Sequence, residues 1–221
     1  MTPIELQTLF GGIDIYLLDQ ILRGRISPGL RILDAGCGCG RNLTYFLRAG
    51  FDVAGVDQDS AAIAEVTSLA RALASGLDPA NFRAEPIEAM SFGAERFDVV
   101  ISSAVLHFAR DPAHFRAMLD GGWLALRVGG LFFCRLASTI GMPGRFRPLG
   151  EGRFLLPDGS RRFLVDQARL LELSEELGGQ LLDPIKTTVV QDQRAMTTWV
   201  LRKTIRRTPR SGPFPADGAL A

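Results

Sequence analysis

The chain has 221 residues, 47% of them hydrophobic, with 25 lysines and arginines against 24 aspartates and glutamates. That length and apolar fraction suit one α/β domain with a full core, and a net charge of +1 argues against a dedicated nucleic-acid binder. No apolar run approaches the roughly 20 residues of a membrane span, and the start Met1-Thr2-Pro3-Ile4-Glu5-Leu6 lacks a basic segment followed by an apolar one. Neither a membrane partner nor a secretory signal is expected, and the default location is the cytoplasm. Three cysteines, without paired Cys-x-x-Cys clusters, indicate neither a disulfide framework nor a metal site.

In chain order, Leu9-Phe10-Gly11-Gly12 is a flexible lead into a helix over residues 13 to 23, where Ile13, Tyr16, Leu17 and Ile21 share one face and Gly24 is the stop. Arg31-Ile32-Leu33-Asp34-Ala35 then reads as a short buried strand. Gly36-Cys37-Gly38-Cys39-Gly40 follows as a turn without Cβ obstruction, and a helix is expected to begin near Arg41 and Asn42. Free N–H groups at that helix start would face any ligand over the turn. Asp34, at the strand end, is placed to accept hydrogen bonds from the loop or from a cationic ligand group. Cys37 and Cys39 read as small space-fillers.

Phe51 to Asp57 is a second strand ending in an acid about 20 residues after the first glycine, the spacing of a carboxylate that grips ribose hydroxyls. The dinucleotide fingerprint itself fails, because its sixth place is Arg41 counted from Gly36 and Leu43 counted from Gly38. A phosphate-binding P-loop is excluded by the lack of a following Gly-Lys-Ser/Thr.

Residues 41 to 49 form the first crossover helix, and Asp59 or Ser60 caps a second through Leu73 to Gly76. Asn81 to Ala84 is a short strand and Glu85 to Phe92 a loop. The apolar run Val99-Val100-Ile101 marks a strand covered on both faces, which delivers Ser102, Ser103 and His107 to the ligand side of an open sheet. A helix from Asp111 to about Arg127, with an interruption possible at Gly121-Gly122, precedes a turn at Gly129-Gly130 and a strand from Leu131 to Leu136.

From Ala137 to Arg162 the composition shifts to glycine, proline and arginine, longer than a compact domain carries without purpose. Pro157-Asp158-Gly159-Ser160 is a turn between two short strands. Asp166 caps a helix stopped by Gly178-Gly179, Lys186 to Gln191 and Met196 to Arg202 form a hairpin, and the tail from Lys203 frays.

Leu33 to Gly40 resembles the first motif of the class I S-adenosylmethionine (SAM) dependent methyltransferases, and Val56-Asp57 resembles their ribose-binding acid. Gly40-Arg41-Asn42 with Tyr45, Gly50, Asp52-Val53 and Asp57 is also similar to the tellurite-resistance type. The resemblance implies a doubly wound, mostly parallel seven-stranded sheet with a C-terminal antiparallel hairpin. It divides the chain into a helical lid segment (1–26), a SAM-binding core (27–136), an insertion serving as substrate lid (137–165), a helix and hairpin completing the sheet (166–203) and a tail (204–221).

The implied cofactor is SAM, with S-adenosylhomocysteine as product, held by Asp34, Gly36, Cys37, Gly38, Asn42, Asp57, Gln58, Glu85, Ile87, Ser102 and Ser103. Pro86 and Ile87 depart from the family, standing where an Asp-Ala pair normally precedes the adenine loop. Glu85 or Glu88, or backbone and apolar contacts alone, then serve the adenine. His107 is the candidate catalytic group, a general base beside the methyl, while His114 reads as surface. Arg145, Arg147 and Arg153 in the insertion point to an anionic small-molecule acceptor. The oligomeric state expected is monomer or homodimer. A nicotinamide-dependent oxidoreductase and a catalytically silent SAM-binding scaffold are the alternatives.

Overall fold

Alternation along the central strands decides the architecture. In the strand of residues 31–35, Leu33 and Ala35 belong to one apolar cluster and Ile32 to another. The same division separates Val100 from Val99 and Ile101, and Phe132 from Leu131 and Phe133. A sheet apolar on both faces must be covered on both, and the helices do so.

The computed structural model describes residues 2–205, so the expected tail lies outside the described residues from 206 onward. The elements are α1 (Pro3–Phe10), α2 (Ile15–Leu22), β1 (Arg31–Ala35), α3 (Thr44–Arg48), β2 (Asp52–Asp57), α4 (Ser60–Leu73), β3 (Phe82–Ala84), β4 (Phe97–Ser103), α5 (Pro112–Ala125), β5 (Leu126–Ser138), β6 (Arg147–Gly150), β7 (Arg153–Leu155), β8 (Arg161–Phe163), α6 (Gln167–Leu177), β9 (Gly179–Leu181), β10 (Lys186–Val190) and β11 (Arg194–Lys203).

The main sheet runs β10-β11-β5-β4-β1-β2-β3. β5, β4, β1, β2 and β3 are parallel, while β11 is antiparallel to β5 and β10 to β11. The short β9 pairs with residues 201–203 of β11 while β10 pairs with residues 194–198, so the two share that edge. Leu17, Phe46 and Val66 of α2, α3 and α4 fill one face; Phe115, Leu119, Leu170 and Leu173 of α5 and α6 fill the other.

β2 and β4 flank β1, so successive connections leave β1 in opposite directions. The crevice beyond the C-terminal ends of β1 and β4 is therefore the switch point where open α/β sheets place ligands.

Four local expectations are corrected. The first crossover helix begins at Thr44, because residues 40–43 close a turn through a Leu43 N–H to Gly40 oxygen bond. Gly121-Gly122 does not interrupt α5; a Cβ on Gly121 would sit 2.4 Å from the Ile87 carbonyl oxygen, so the residue serves close approach. Gly129-Gly130 is not a turn before a strand but part of a bulge within β5, where pairing slips between Phe97–Leu126 and Val99–Leu131. The insertion carries its own three-stranded antiparallel sheet, β6-β7-β8, joined to the main body through Leu156 and Leu164 packed with Ala137.

Trp199 of β11 ties the α6 face together: it is fully buried, meets Phe132 edge-on and donates its Nε1 hydrogen to Ser174 Oγ at 2.9 Å. Trp199→Ala is expected to lower stability by about 3–5 kcal/mol, read by urea denaturation.

Candidate active site

The loop after β1 is held from below. The Gly36 and Cys37 N–H groups both donate to Val56 oxygen, at 2.8 and 2.9 Å, and the Gly38 N–H donates to Asp57 Oδ2 at 2.9 Å. Asp57 Oδ1 also accepts the Asp59 N–H at 3.0 Å. The loop amides expected to face a ligand are therefore turned to the end of β2, and α3, five residues long and starting after the turn, does not present the helix start anticipated near Arg41.

Glycine remains necessary for other reasons. At Gly36 (φ +88°) a Cβ would lie 2.5 Å from Val105, whereas at Gly38 (φ +50°) it would project into open space on the ligand side.

That open space is a cavity of about 410 Å³ bordered by Gly36, Gly38, Asp57 and Gln58 on one side and by Pro86, Ile87, Glu88, Val105, His114 and Met118 on the other. Glu88 and His114, the second expected to be plain surface, meet there: His114 Nε2 stands 3.0 Å from Glu88 Oε1. His114 Nδ1 accepts the Arg110 N–H at 3.1 Å, so Nε2 carries the hydrogen given to Glu88. The sequence around His114 carried no signal for this, because its partner comes from a loop 26 residues earlier.

Several predicted residues support this cavity without bordering it. Asp34 is buried beneath the loop, and among the described residues neither carboxyl oxygen has a hydrogen-bond partner. Burial pushes its pKa up to about 8; the Arg41 charge and the nearby Asn42 amide pull the other way without offsetting it. Cys37 packs its sulfur against Gly55, and burial raises its thiol above the ordinary range, as expected of a space-filler.

Asn42 accepts the Asp14 N–H at 3.0 Å, and Ser103 donates to Asp14 Oδ2 at 3.3 Å. Ser102 is buried with its hydroxyl unpartnered. Glu85 is corrected outright: its carboxylate binds the Ser91 N–H and hydroxyl, each at 2.6 Å, on the exposed side of the loop.

His107 lies elsewhere, on the one-turn helix Leu106–Phe108, where it borders a second cavity of about 330 Å³. Ala104 and Phe108 form a wall common to both cavities. His107 Nδ1 accepts the Ala137 N–H at 3.1 Å, which places the imidazole hydrogen on Nε2. Burial, reinforced by the Arg162 and Arg194 charges, lowers its pKa to about 4. The ring is thus a neutral donor at physiological pH, and the expectation of a general base is corrected by that geometry.

The insertion's arginines are also redistributed. Arg145, Arg147 and Arg153 do not border the second cavity; Arg41, Arg135, Arg162 and Arg194 do, with Asp158 and Ser160 from the turn between β7 and β8. Arg145 stands only 3.9 Å from Asp192 on the surface.

Comparison with known proteins bears on this pair of cavities. The methyltransferase domain family matches residues 32–130. A ubiquinone biosynthesis O-methyltransferase of Mesorhizobium japonicum is 30% identical over 198 residues, covering 85% of this chain and 77% of its own length. One from Chelativorans sp. is 38% identical over 151 residues, covering 62% of this chain and 57% of its own. For several such curated relatives the chain spans only about half their length.

Among solved structures, the 1,6-didemethyltoxoflavin-N1-methyltransferase of Burkholderia thailandensis, with bound 1,6-didemethyltoxoflavin and S-adenosylhomocysteine, superposes with a TM-score of 0.65 at 22% identity. It covers 90% of this chain and 85% of that one. At that identity the likeness is one of fold.

The buried Asp34 has a measurable consequence. Its folded-state pKa of about 8 exceeds that of an unfolded aspartate, so its contribution to stability is complete below about pH 4 and is lost as pH rises through 8. Between pH 6.5 and 8 Asp34 is expected to lower stability by roughly 1.5 kcal/mol, offset by about 0.4 kcal/mol from His107, whose unfolded-state titration near 6.5 overlaps the start of that window. Asp34→Asn is expected to flatten that slope in denaturant titrations across the same window.

Proposed function

Because the chain belongs to the class I SAM-dependent methyltransferases, we propose that it transfers the methyl group of SAM to an anionic small molecule. SAM occupies the cavity between Gly36 and Met118, and the acceptor occupies the arginine-lined cavity beside His107. The observation that carries this reading is the common wall: Ala104 and Phe108 border both spaces, so two ligands bound there would meet across one short strip of chain. Bringing two partners together in line is most of what methyl transfer asks of a protein.

The residues present fit the nucleoside. Gly38 leaves room where any Cβ would project, and Asp57 keeps unused lone pairs after accepting two main-chain N–H groups, enough for two sugar hydroxyls. Gln58 lies beside it at the rim. Pro86, Ile87 and Met118 supply apolar contact for a purine, and Glu88, oriented by His114, supplies a hydrogen-bond acceptor in place of the missing family acid. When bound, SAM supplies an electrophilic methyl on a positively charged sulfur.

On the acceptor side, guanidinium groups favour a carboxylate or phosphate on the substrate. The insertion contributes Leu156, Asp158, Ser160 and Arg162 to that cavity, which supports its reading as a substrate lid.

The expected result is a rise in melting temperature with S-adenosylhomocysteine and none with NAD(H). Asp57→Ala is expected to weaken S-adenosylhomocysteine binding at least tenfold by calorimetry; unchanged affinity would remove the ribose assignment. Glu88→Gln, which keeps an acceptor oxygen and the shape but loses the negative charge, is expected to weaken the same binding about five- to tenfold, less than the loss of a whole charge-assisted hydrogen bond. Transfer of labelled methyl to a small-molecule extract separates the enzyme from a silent scaffold.

A further inference from the structure

The second cavity is rich in donors and poor in anything that takes up a proton, and from this we propose that the accepting atom is a carboxylate oxygen, so that the product is a methyl ester. This rests on the methyltransferase reading above and narrows its acceptor.

Charge comes first. Of the four guanidinium groups at the cavity, Arg135 pairs with Asp14 at 2.9 Å and Arg194 stands 3.8 Å from Asp158. Arg41 reaches only the Ser103 hydroxyl, at 3.5 Å. Arg162 reaches the Arg161 carbonyl oxygen at 2.8 Å and lies over the Phe108 ring at 4.6 Å. Among the described residues, then, four guanidinium charges at one cavity are set against the carboxylates of Asp14 and Asp158, and this surplus of positive charge is the setting for an anionic ligand.

Proton traffic decides which anion. The groups facing His107 are Arg41 from the glycine turn, Arg135 from β5, Arg162 from β8, Arg194 from β11 and Asp158 from the β7–β8 turn. His107 spends Nδ1 on the Ala137 N–H and shows the cavity a donor. Asp158 Oδ1 already accepts the Ser160 N–H at 2.9 Å and its hydroxyl at 2.5 Å, while burial is outweighed by these bonds and by Arg194 and Arg162, which hold its carboxyl below the ordinary range. It is a weak base. Ser160 is occupied as a donor.

A phenol near pKa 10, lowered by the 1–3 units that neighbouring cations provide, would still be largely protonated at pH 7 or evenly divided at best. An amine is cationic and would be repelled. A carboxylate arrives ionised and needs only donors.

The step balances without a proton. A carboxylate oxygen lone pair forms the new bond to the methyl carbon while the carbon–sulfur bond breaks and its electron pair stays on sulfur, leaving a neutral thioether and a neutral ester. Phe108, Leu156 and Met196 at the same cavity suit an acid with an apolar body.

The test incubates the protein with methyl-labelled SAM and benzoate, trans-cinnamate or octanoate, beside matched phenols, amines and thiols. Label in the acids that is released as methanol by mild alkali, at a kcat/KM constant within about twofold from pH 6 to 9, is the expected result. Alkali-stable label in a phenol, amine or thiol, or a rate climbing about tenfold per pH unit, overturns it.

Independently of turnover, the S-adenosylhomocysteine-loaded protein should melt higher with these carboxylates than with their methyl esters. Arg162→Gln should weaken that binding at least tenfold, and absence of any carboxylate shift overturns the assignment. His107→Gln, which keeps an N–H donor, should retain turnover within about fivefold and an unchanged pH profile, whereas His107→Ala should raise KM at least tenfold. Equal losses in two variants of native circular dichroism would overturn the donor role. A protein that binds no S-adenosylhomocysteine fails the methyltransferase reading and this one with it; a protein that binds it but esterifies none of the acids fails the carboxylate assignment alone.

Discussion

The Asp57 carboxylate, accepting the Gly38 N–H across the gap between β1 and β2, is the contact on which the ligand side of the sheet depends. With the two N–H groups of Gly36 and Cys37 converging on Val56 oxygen, it folds the glycine loop down onto the end of β2. A loop so anchored leaves its Gly38 side open and brings a carboxylate to the rim of that opening. The same oxygens that shape the loop thereby border the cavity, so the proposed sugar contact would draw on the group that anchors the loop. Its cost is modest, since each bond joins a main-chain donor to an ionised acceptor, the stronger class of hydrogen bond.

A second polar centre connects the two cavities. Asp14, buried at the start of α2, accepts hydrogen bonds from Tyr16 N–H, Ser103 Oγ and Arg135 Nη1 and gives its own N–H to Asn42. One carboxylate thus joins the N-terminal helix, the glycine loop, the end of β4 and β5. Because it pairs with Arg135, the positive surplus of the second cavity comes from Arg41, Arg162 and Arg194 set against Asp158. Removing one partner of such a buried pair would leave the other uncompensated, which makes the cluster a rigid joint rather than an adjustable one.

The histidines show how position outranks residue type. His107 and His114 lie seven residues apart on either side of the start of α5, yet one turns a donor toward the arginine-lined cavity and the other braces Glu88 in the cavity beside Gly38. Main-chain N–H groups, from Ala137 and Arg110, set both tautomers. Each ring's chemistry is therefore chosen by backbone that the sequence does not mark as functional.

From residues alone, the apolar runs of the strands, the glycine turn, the acid ending the second strand about 20 residues after it, the capped helices at Asp59 and Asp166 and the terminal hairpin could all be read, because each rests on a short spacing along the chain or on a helix or strand period. Tertiary structure alone decided that the arginines bordering the second cavity are Arg41, Arg135, Arg162 and Arg194 rather than Arg145, Arg147 and Arg153, that Glu88 and not Glu85 borders the cavity beside Gly38, and that His107 turns its N–H toward the second cavity. Those outcomes depend on contacts between segments 26 or 30 residues apart, for Glu88 and His107, and more than a hundred apart for the arginines. Nothing local in the chain records which side of a loop, or which of these seven guanidinium groups, will be carried there.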